Sequence, residues 1–236
     1  MSLLPRRLAV ADVHLSAVES ARTTLFYEFL RHTASQADEL YLLGDIFDVW
    51  LGDNDNSPLA INTVDELAAL SASGVRICIQ HGNRDFLLGA RFCKAAGAQL
   101  LPDEYAIAGM LLMHGDTLCA NAAYLRYRQL VHSTVFVAIS NALPLTWRQW
   151  LAQAIRRQSQ KRRQPATIDH SQATAAMQRH NCTTLVHGHT HTPELEKWTE
   201  SERSFTRCCL PDWETAPGYA DLRSDDIEII HINSIN

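Results

Sequence analysis

The chain has 236 residues, 46% hydrophobic and 20% charged, which suits one large α/β domain or one domain carrying an insertion and excludes a disordered chain. No apolar run approaches the ~20 residues of a spanning helix, and the opening MSLLPRRLAVADVHL lacks the order of a signal peptide, so a cytosolic protein is expected. The net charge of -5 is unevenly spread: Thr117 to Ile168 holds eight Lys or Arg and no acid, which leaves 13 basic against 26 acidic residues, or -13, elsewhere.

From the N-terminus, short apolar runs alternate with helical periodicities in the order of stacked β-α-β units. Strands are predicted at Leu8–Ala11, Glu39–Leu43, Val75–Gln80, Met110–Met113 and Thr183–His187, with later ones around Thr206–Leu210 and Ile227–Ile232. Helices are predicted at Thr23–Ala37, Val64–Ser73, Ala90–Ala96 and His170–His180, the last behind Asp169 as N-cap. The acid-free segment differs, for Ala122–Asn141 and Thr146–Arg163 read as two long helices parted by Leu143-Pro144, with no strand. The expected architecture is an α/β sandwich core, residues 1–116 and 169–236, with a helical insertion over it at 117–168. Six cysteines without a C-x-x-C pair point to buried reduced thiols rather than disulfides or a zinc site.

Polar residues collect where the apolar strands end. The first strand runs into Asp12-Val13-His14, the second into Gly44-Asp45-Ile46-Phe47-Asp48, and the third into Gly82-Asn83-Arg84-Asp85. The fourth runs into His114-Gly115-Asp116 and the fifth into Gly188-His189-Thr190-His191. Sites in open α/β sheets form beyond the carboxyl ends of strands, so these stretches converge on one place. An isolated H-x-H is more often a histidine-rich loop, and D-x-H alone is most often a turn; the ordered series is what carries the signal. Asp12, His14, Asp45, Asn83, His114, His189 and His191 offer carboxylate, amide and imidazole but no thiolate, a set suited to manganese, iron or zinc. Seven groups are too many for one ion, whereas a bridging carboxylate, most naturally Asp45, lets two ions share them for in-line attack on phosphorus.

The series D-x-H, GD-x-x-D, GN-x-D, H-G-D and GH-x-H resembles the calcineurin-like metallophosphoesterases, whose fold is a β-sandwich flanked by helices. Longer stretches, GDIFDVW with Gly52-Asp53, HGNRDFLLG and LMHGDTLC, resemble the branch of that family that serves lipid A biosynthesis, and the similarity runs from about Leu8 to Ile232. The resemblance implies hydrolysis of the pyrophosphate of UDP-2,3-diacylglucosamine to UMP and 2,3-diacylglucosamine 1-phosphate by a di-manganese centre. It also implies a protein bound peripherally to the cytoplasmic face of the inner membrane, with no nucleic acid partner. Asp12, His14, Asp45 and His191 would hold one ion, and Asp45, Asn83, His114 and His189 the other. Water activated by the ions would attack phosphorus in line with the departing phosphate oxygen.

Arg84 stands where many members of the wider superfamily carry a histidine able to act as general acid. Arginine cannot donate a proton at neutral pH, but its planar fork suits two phosphate oxygens of a leaving group that needs little protonation. The alternative is an ion pair with Asp85. Asp48, Asp85 and Asp116 are expected to support ligating imidazoles or shape turns rather than bind metal. His187 and His81 are set aside as non-ligands.

Substrate contacts are less sharply marked. Asn83, Arg84 and His189 are shared with the metal site; Tyr124, Arg128 and Ser159 keep family counterparts; and Asn121 lies near where the relatives have an aspartate. Which of Lys161, Arg162 or Arg163 matches the relatives' lysine stays open, because the stretch from Gln160 to Asp169 is shortened. The cations of the insertion sit among Phe136, Trp147, Trp150 and Leu151, a pairing found in helices that lie on anionic membranes or enclose acyl chains. The residues alone fit lipid handling and ordinary packing equally; the resemblance favours the first. The rival readings are a metallophosphoesterase acting on soluble nucleotides or nucleic acid, and a catalytically silent scaffold, which has no reason to keep seven ligands.

Overall fold

The computed structural model describes residues 4–118, 122–143, 147, 167–223 and 227–232. In the first sheet, β1 (Arg7–Val10), β2 (Glu39–Leu43), β3 (Arg76–Gln80) and β4 (Ala98–Leu100) run parallel. β10 (Gly218–Leu222) and β11 (Ile227–His231) extend it antiparallel past β1, giving the order β11-β10-β1-β2-β3-β4. The second sheet has the order β5-β6-β7-β9-β8, from β5 (Tyr105–Ile107), β6 (Met110–Leu112), β7 (Thr184–His187), β9 (Arg203–Cys209) and β8 (Glu194–Glu200). Its β6, β7 and β9 are parallel, with antiparallel β5 and β8 on the edges.

The predicted strands exist with ends shifted by a residue or a few, and the β-α-β expectation holds for β1 to β4 and for β6 to β7, while β5, β8, β10 and β11 pair antiparallel. β4, β5, β8 and β10 were not predicted; β4, β5 and β8 are exposed or half-buried, β4 and β5 are only three residues long, and β8 is mostly polar.

Both faces of the central strands are buried, and the two faces hold different residues. Leu8, Val10, Leu40, Leu42, Ile77 and Ile79 point to one side, under α1 (Ala21–His32), α2 (Pro58–Ala72) and α3 (Ala90–Ala96). Ala9, Ala11, Tyr41, Leu43 and Cys78 point to the other, where they meet Leu112, Val186, Cys208 and Leu210 of the second sheet. The second sheet's outer face, with Leu111, Leu185 and Phe205, is covered by Ala173, Ala176 and Met177 of α6 (His170–Arg179). Such two-sided burial explains why these strands read as unbroken apolar runs. The result is a layered helix, sheet, sheet, helix sandwich, and Cys78, Cys93, Cys182, Cys208 and Cys209 are buried free thiols.

Helix boundaries follow their caps. Ser20 and Ser57 accept from the N–H of Thr23 and Ala60, and Asp169 accepts from Ser171 N at 3.1 Å as expected of an N-cap. Pro58 at the first turn starts α2 well before the predicted Val64. α1 stops at His32, and only a short 3₁₀ turn, Ala34–Gln36, continues the predicted helix. The single helix expected over Ala122–Asn141 is two, α4 (Ala122–Val131) and α5 (Thr134–Ala142). Ser133 is extended there and caps α5 by accepting from Phe136 N, which divides the run. The predicted helix at Thr146–Arg163 lies outside the described residues apart from Trp147.

The ends of β2 and β3 are tied together by Asp85, which is fully buried. Its carboxylate accepts from Gly82 N at 2.7 Å, Ile46 N at 2.8 Å, Asp45 N at 3.3 Å and Phe47 N at 3.5 Å. Asp85 therefore serves main-chain donors, not an imidazole. Asp53 does similar work for α3, accepting from the N–H groups of Gly89, Arg91 and Phe92 at the helix start. Asp85→Ala leaves several buried N–H groups without an acceptor and is expected to cost about 3–5 kcal/mol in denaturant unfolding, with Asp85→Asn losing less. Equal stability of wild type and the alanine variant would show that the carboxylate does not hold the two loops.

Candidate metal centre

Five loops leave the carboxyl ends of neighbouring strands and are stitched to one another. The D-x-H loop runs beside the GD loop through His14 N to Asp45 O at 3.0 Å and Leu15 N to Ile46 O at 2.8 Å. The GH-x-H loop is tied to the loop of its sheet neighbour by Gly188 N to His114 O at 3.0 Å and across the sandwich by His189 N to Asp12 Oδ2 at 2.7 Å. Close approach demands glycine at two places. A Cβ on Gly44, whose φ is +83°, would lie 2.6 Å from Gly82 N, and one on Gly188 would run into the Asp12 carboxylate.

All seven residues singled out as ligands fall in this crevice. Asp12 Oδ1 lies 3.4 Å from His191 Nε2 and 3.9 Å from His14 Nε2, and the two imidazoles face each other at 3.4 Å. Beside them, Asn83 Oδ1 is 3.2 Å from His114 Nε2 and 3.1 Å from His189 Nδ1, while Asp45 Oδ2 is 3.8 Å from His114 Nε2. Asp12, His14 and His191 converge in one group and Asp12, Asp45 and His114 in another, so Asp12 is the residue common to both groups, where the sequence pointed to Asp45.

The backbone adds a signal that residue types do not carry. Asp12, His14, Asp45, His189 and His191 all have φ between 51° and 68°, a conformation uncommon outside glycine. Such conformations cluster at functional sites, where the surroundings hold them in place.

The unsatisfied atoms of the cluster fit cations. Asp12 Oδ1 is buried without a hydrogen-bond partner. Only one proton can lie between the facing Nε2 atoms of His14 and His191, whereas a cation satisfies both together with Asp12. His114 is oriented for ligation, because its Nδ1 donates to the Leu43 carbonyl at 2.9 Å and leaves the Nε2 electron pair facing the cluster. That acceptor is a main-chain oxygen, not one of the carboxylates expected to support an imidazole.

Burial lowers His14 to about 3 and His189 to about 4, so both offer neutral nitrogens. Burial raises the Asp45 carboxyl to about 7, helped by Asp85 and Asp12 and opposed by His114 and Arg84. Burial also works against a charged His114, but Asp45, Asp12 and Asp116 outweigh it and raise that group to about 9. Asp12 stays well below the usual carboxylate range despite its burial, because His191, His114 and His14 surround it.

Arg84 borders the cluster with its side chain one-third exposed. Its Nη1 lies 2.5 Å from Asp48 Oδ1 and its Nε 3.5 Å from Asp45 Oδ2, and its own N–H donates to Asp45 Oδ1 at 2.8 Å. The alternative partner considered from the sequence, Asp85, is turned inward to the loop backbone instead. Asp48 takes Arg84, and Asp116 accepts from Tyr124 Oη at 2.9 Å and Arg128 Nε at 2.7 Å. Arg128 also reaches Asp103 at 2.7 Å, so this cation of the basic segment is paired with two carboxylates of the acidic body. His187, set aside from the ligands, donates from Nδ1 to the Gly188 carbonyl. Asn121, Ser159, Lys161, Arg162 and Arg163 lie outside the described residues.

The family model of calcineurin-like phosphoesterases matches residues 5–193, and the chain belongs to that family. Over 234 residues it is 38% identical to the UDP-2,3-diacylglucosamine hydrolase of Escherichia coli O81 (strain ED1a), covering 95% of this chain and 98% of that one. It is also 38% identical to the UDP-2,3-diacylglucosamine hydrolase of Serratia proteamaculans (strain 568), over 94% of this chain and 97% of the relative.

If Asp45 and His114 hold an ion, the first must be a carboxylate and the second a neutral imidazole, so ion binding would release protons. Apparent affinity for a divalent ion is expected to fall as pH drops through about 9 and again through about 7, the values to which His114 and Asp45 are raised. Calorimetry at neutral pH in buffers of different ionisation enthalpy measures this release. A binding heat independent of buffer contradicts the assignment.

Proposed function

We propose that this chain hydrolyses the pyrophosphate bond of UDP-2,3-diacylglucosamine, yielding UMP and 2,3-diacylglucosamine 1-phosphate. The observation that carries the reading is the near end-to-end match to UDP-2,3-diacylglucosamine hydrolases in a chain whose buried carboxylate, amide and imidazole donors converge in one crevice. In this reading Asp12, His14, Asp45 and His191 hold one divalent ion and Asp45, Asn83, His114 and His189 the other. Asp45 would belong to both sets. Manganese suits a donor set of oxygen and imidazole nitrogen without thiolate. Two such ions supply Lewis acidity at the phosphoryl oxygens and lower the pKa of water.

The protein's own groups do the positioning. Asn83 Oδ1, set between His114 and His189, fixes where the second ion and the phosphoryl group meet. Arg84, at the rim beside Asp45 and Asp48, turns its fork to the diphosphate, a bidentate contact that lysine cannot reproduce. Tyr124 and Arg128, held on Asp116, line the approach from α4 and with Asn121, Ser159 and Lys161 or Arg162 bind the nucleotide and sugar. Residues 117–168 form the lid for the acyl chains. Leu130, Val135, Ile139 and Trp147 are between 58% and 68% exposed, an apolar display that suits acyl chains and the surface of an anionic inner leaflet. No helix of the described residues is long and apolar enough to cross a membrane, so attachment would be peripheral.

Metal-loaded protein is to be offered UDP-2,3-diacylglucosamine, UDP-sugars without acyl chains, and single-stranded DNA. Turnover should be confined to the acylated substrate, with solvent oxygen entering UMP. Arg84→Ala should lower kcat/KM by about 100-fold or more at unchanged metal content, and Arg84→Lys should recover little of it. Preference for the soluble or nucleic acid substrates, or full activity of the lysine variant, overturns the reading.

Binding to anionic vesicles should weaken with salt, since each cation near such a surface contributes about 1 kcal/mol and is screened over about 8 Å. Replacing Arg157, Arg162 and Arg163 by glutamine should reduce vesicle binding. Replacing Trp147 and Trp150 by alanine should impair the acylated substrate more than a soluble diphosphate. Vesicle affinity and chain-length preference unchanged by both sets would leave the lid as packing alone.

A further inference from the structure

A second group of metal-type donors lies away from the crevice cluster, at the seam where α4 meets the core. His81 follows β3, Asp103 precedes β5, and His132 follows the last turn of α4. One donor atom from each lies within 4.8 Å of the others.

Each member is prepared for ligation in its own way. His81 Nε2 donates to the Leu88 carbonyl at 2.6 Å, which leaves Nδ1 as the nitrogen with a free electron pair. Carbonyl support of the second ring nitrogen is the usual companion of a metal-bound histidine. The His132 ring is fixed by stacking on Phe86, with centroids 5.3 Å apart, and by an edge contact to His81 at 5.9 Å. Burial, with Arg128 beside it, lowers His132 to about 4, so the ring is neutral and can bind an ion at physiological pH. Burial would raise Asp103, but the Arg128 hydrogen bond and charge hold it low and therefore ionised. Arg128 engages Asp103 through Oδ2 alone, so Oδ1 can turn to an ion.

We propose that His81, Asp103 and His132 form a separate mononuclear site for a zinc-type divalent ion at the junction of α4 with the core. Two imidazoles and a carboxylate are a known three-ligand set for zinc, with water completing the tetrahedron. Zinc holds such donors at about 2.0–2.2 Å, so the group must contract on binding. Asp103, whose side chain is 46% exposed, has the room to move. An ion there would clamp α4 to the loop that leads, two residues after His81, into Asn83 and Arg84. Metal occupancy would then govern how firmly α4 sits against the core.

The test compares wild type with His132→Phe, which keeps a ring on Phe86 but removes the donor, and with Asp103→Asn at the exposed edge. Each protein is saturated with Zn2+ alone, dialysed, and its bound metal counted by mass spectrometry, with thermal melts to verify folding. Wild type should hold one equivalent more than either variant, and affinity for that equivalent should weaken more than about 100-fold, beyond what loss of an outer-shell partner costs. This difference stands whatever the crevice cluster holds. Cobalt substitution should give a tetrahedral visible spectrum that contains a component missing from His132→Phe. Equal zinc content and affinity in wild type and both variants, or identical cobalt spectra, overturns the site.

Discussion

The buried carboxylate of Asp85, shared among the main-chain N–H groups of Gly82, Asp45, Ile46 and Phe47, is the constraint on which the crevice depends. Asp45 and Asn83 come from different strands, and each can present its side chain only if the two loops stay in register. A charge-assisted acceptor with several donors does this where sheet pairing has ended. It also explains the intolerance for bulk at Gly44, because the loops pass within van der Waals distance of each other. Held in this way, Asp12, His14, Asp45, His189 and His191 keep left-handed backbone conformations that an unconstrained loop would relax.

The sandwich supplies the convergence. Parallel strands from both sheets point their carboxyl ends the same way, so β1, β2 and β3 on one side and β6 and β7 on the other deliver polar loops to a common edge. Small side chains such as Ala9, Ala11, Cys78 and Cys208 line the inter-sheet face. They let the sheets approach closely enough for Asp12 Oδ2 to accept from His189 N across them. The electrostatic consequence is a buried crowd of acceptors whose carboxyls cannot all ionise easily, with Asp45 raised by burial and Asp12 held down by its histidines.

The basic insertion is bound to the acidic body by specific pairs. Arg128 is clasped between Asp116 and Asp103, and Phe86 of the GN-x-D loop packs against His132 and, more loosely, Phe136. Polar and aromatic contacts thus link α4 and α5 to the loops that carry the metal-type donors. Meanwhile Leu130, Val135 and Ile139 stay outward. In the described part of the insertion, one face of α4 and α5 meets the core and another is left apolar.

The sequence by itself determined seven of the eleven described strands and the polar motifs that follow five of them, because apolar runs and the short motifs after them are local properties. It also determined the α6 start at Asp169, since an N-cap is read within a few residues. It misjudged where helices stop when a single side chain decides, as with Ser133 between α4 and α5. Only the tertiary structure decided what the acidic residues beside the donors do. Asp48, Asp85 and Asp116 look alike in their motifs, yet one takes Arg84, one takes four backbone N–H groups, and one takes Tyr124 and Arg128. The strands β4, β5 and β8, the placement of Asp12 in both donor groups, and the meeting of His81 with His132 are likewise tertiary. A carboxylate or imidazole is assigned its role by whichever donors, acceptors and charges the fold brings within a few ångströms, and those neighbours come from dozens of residues away along the chain.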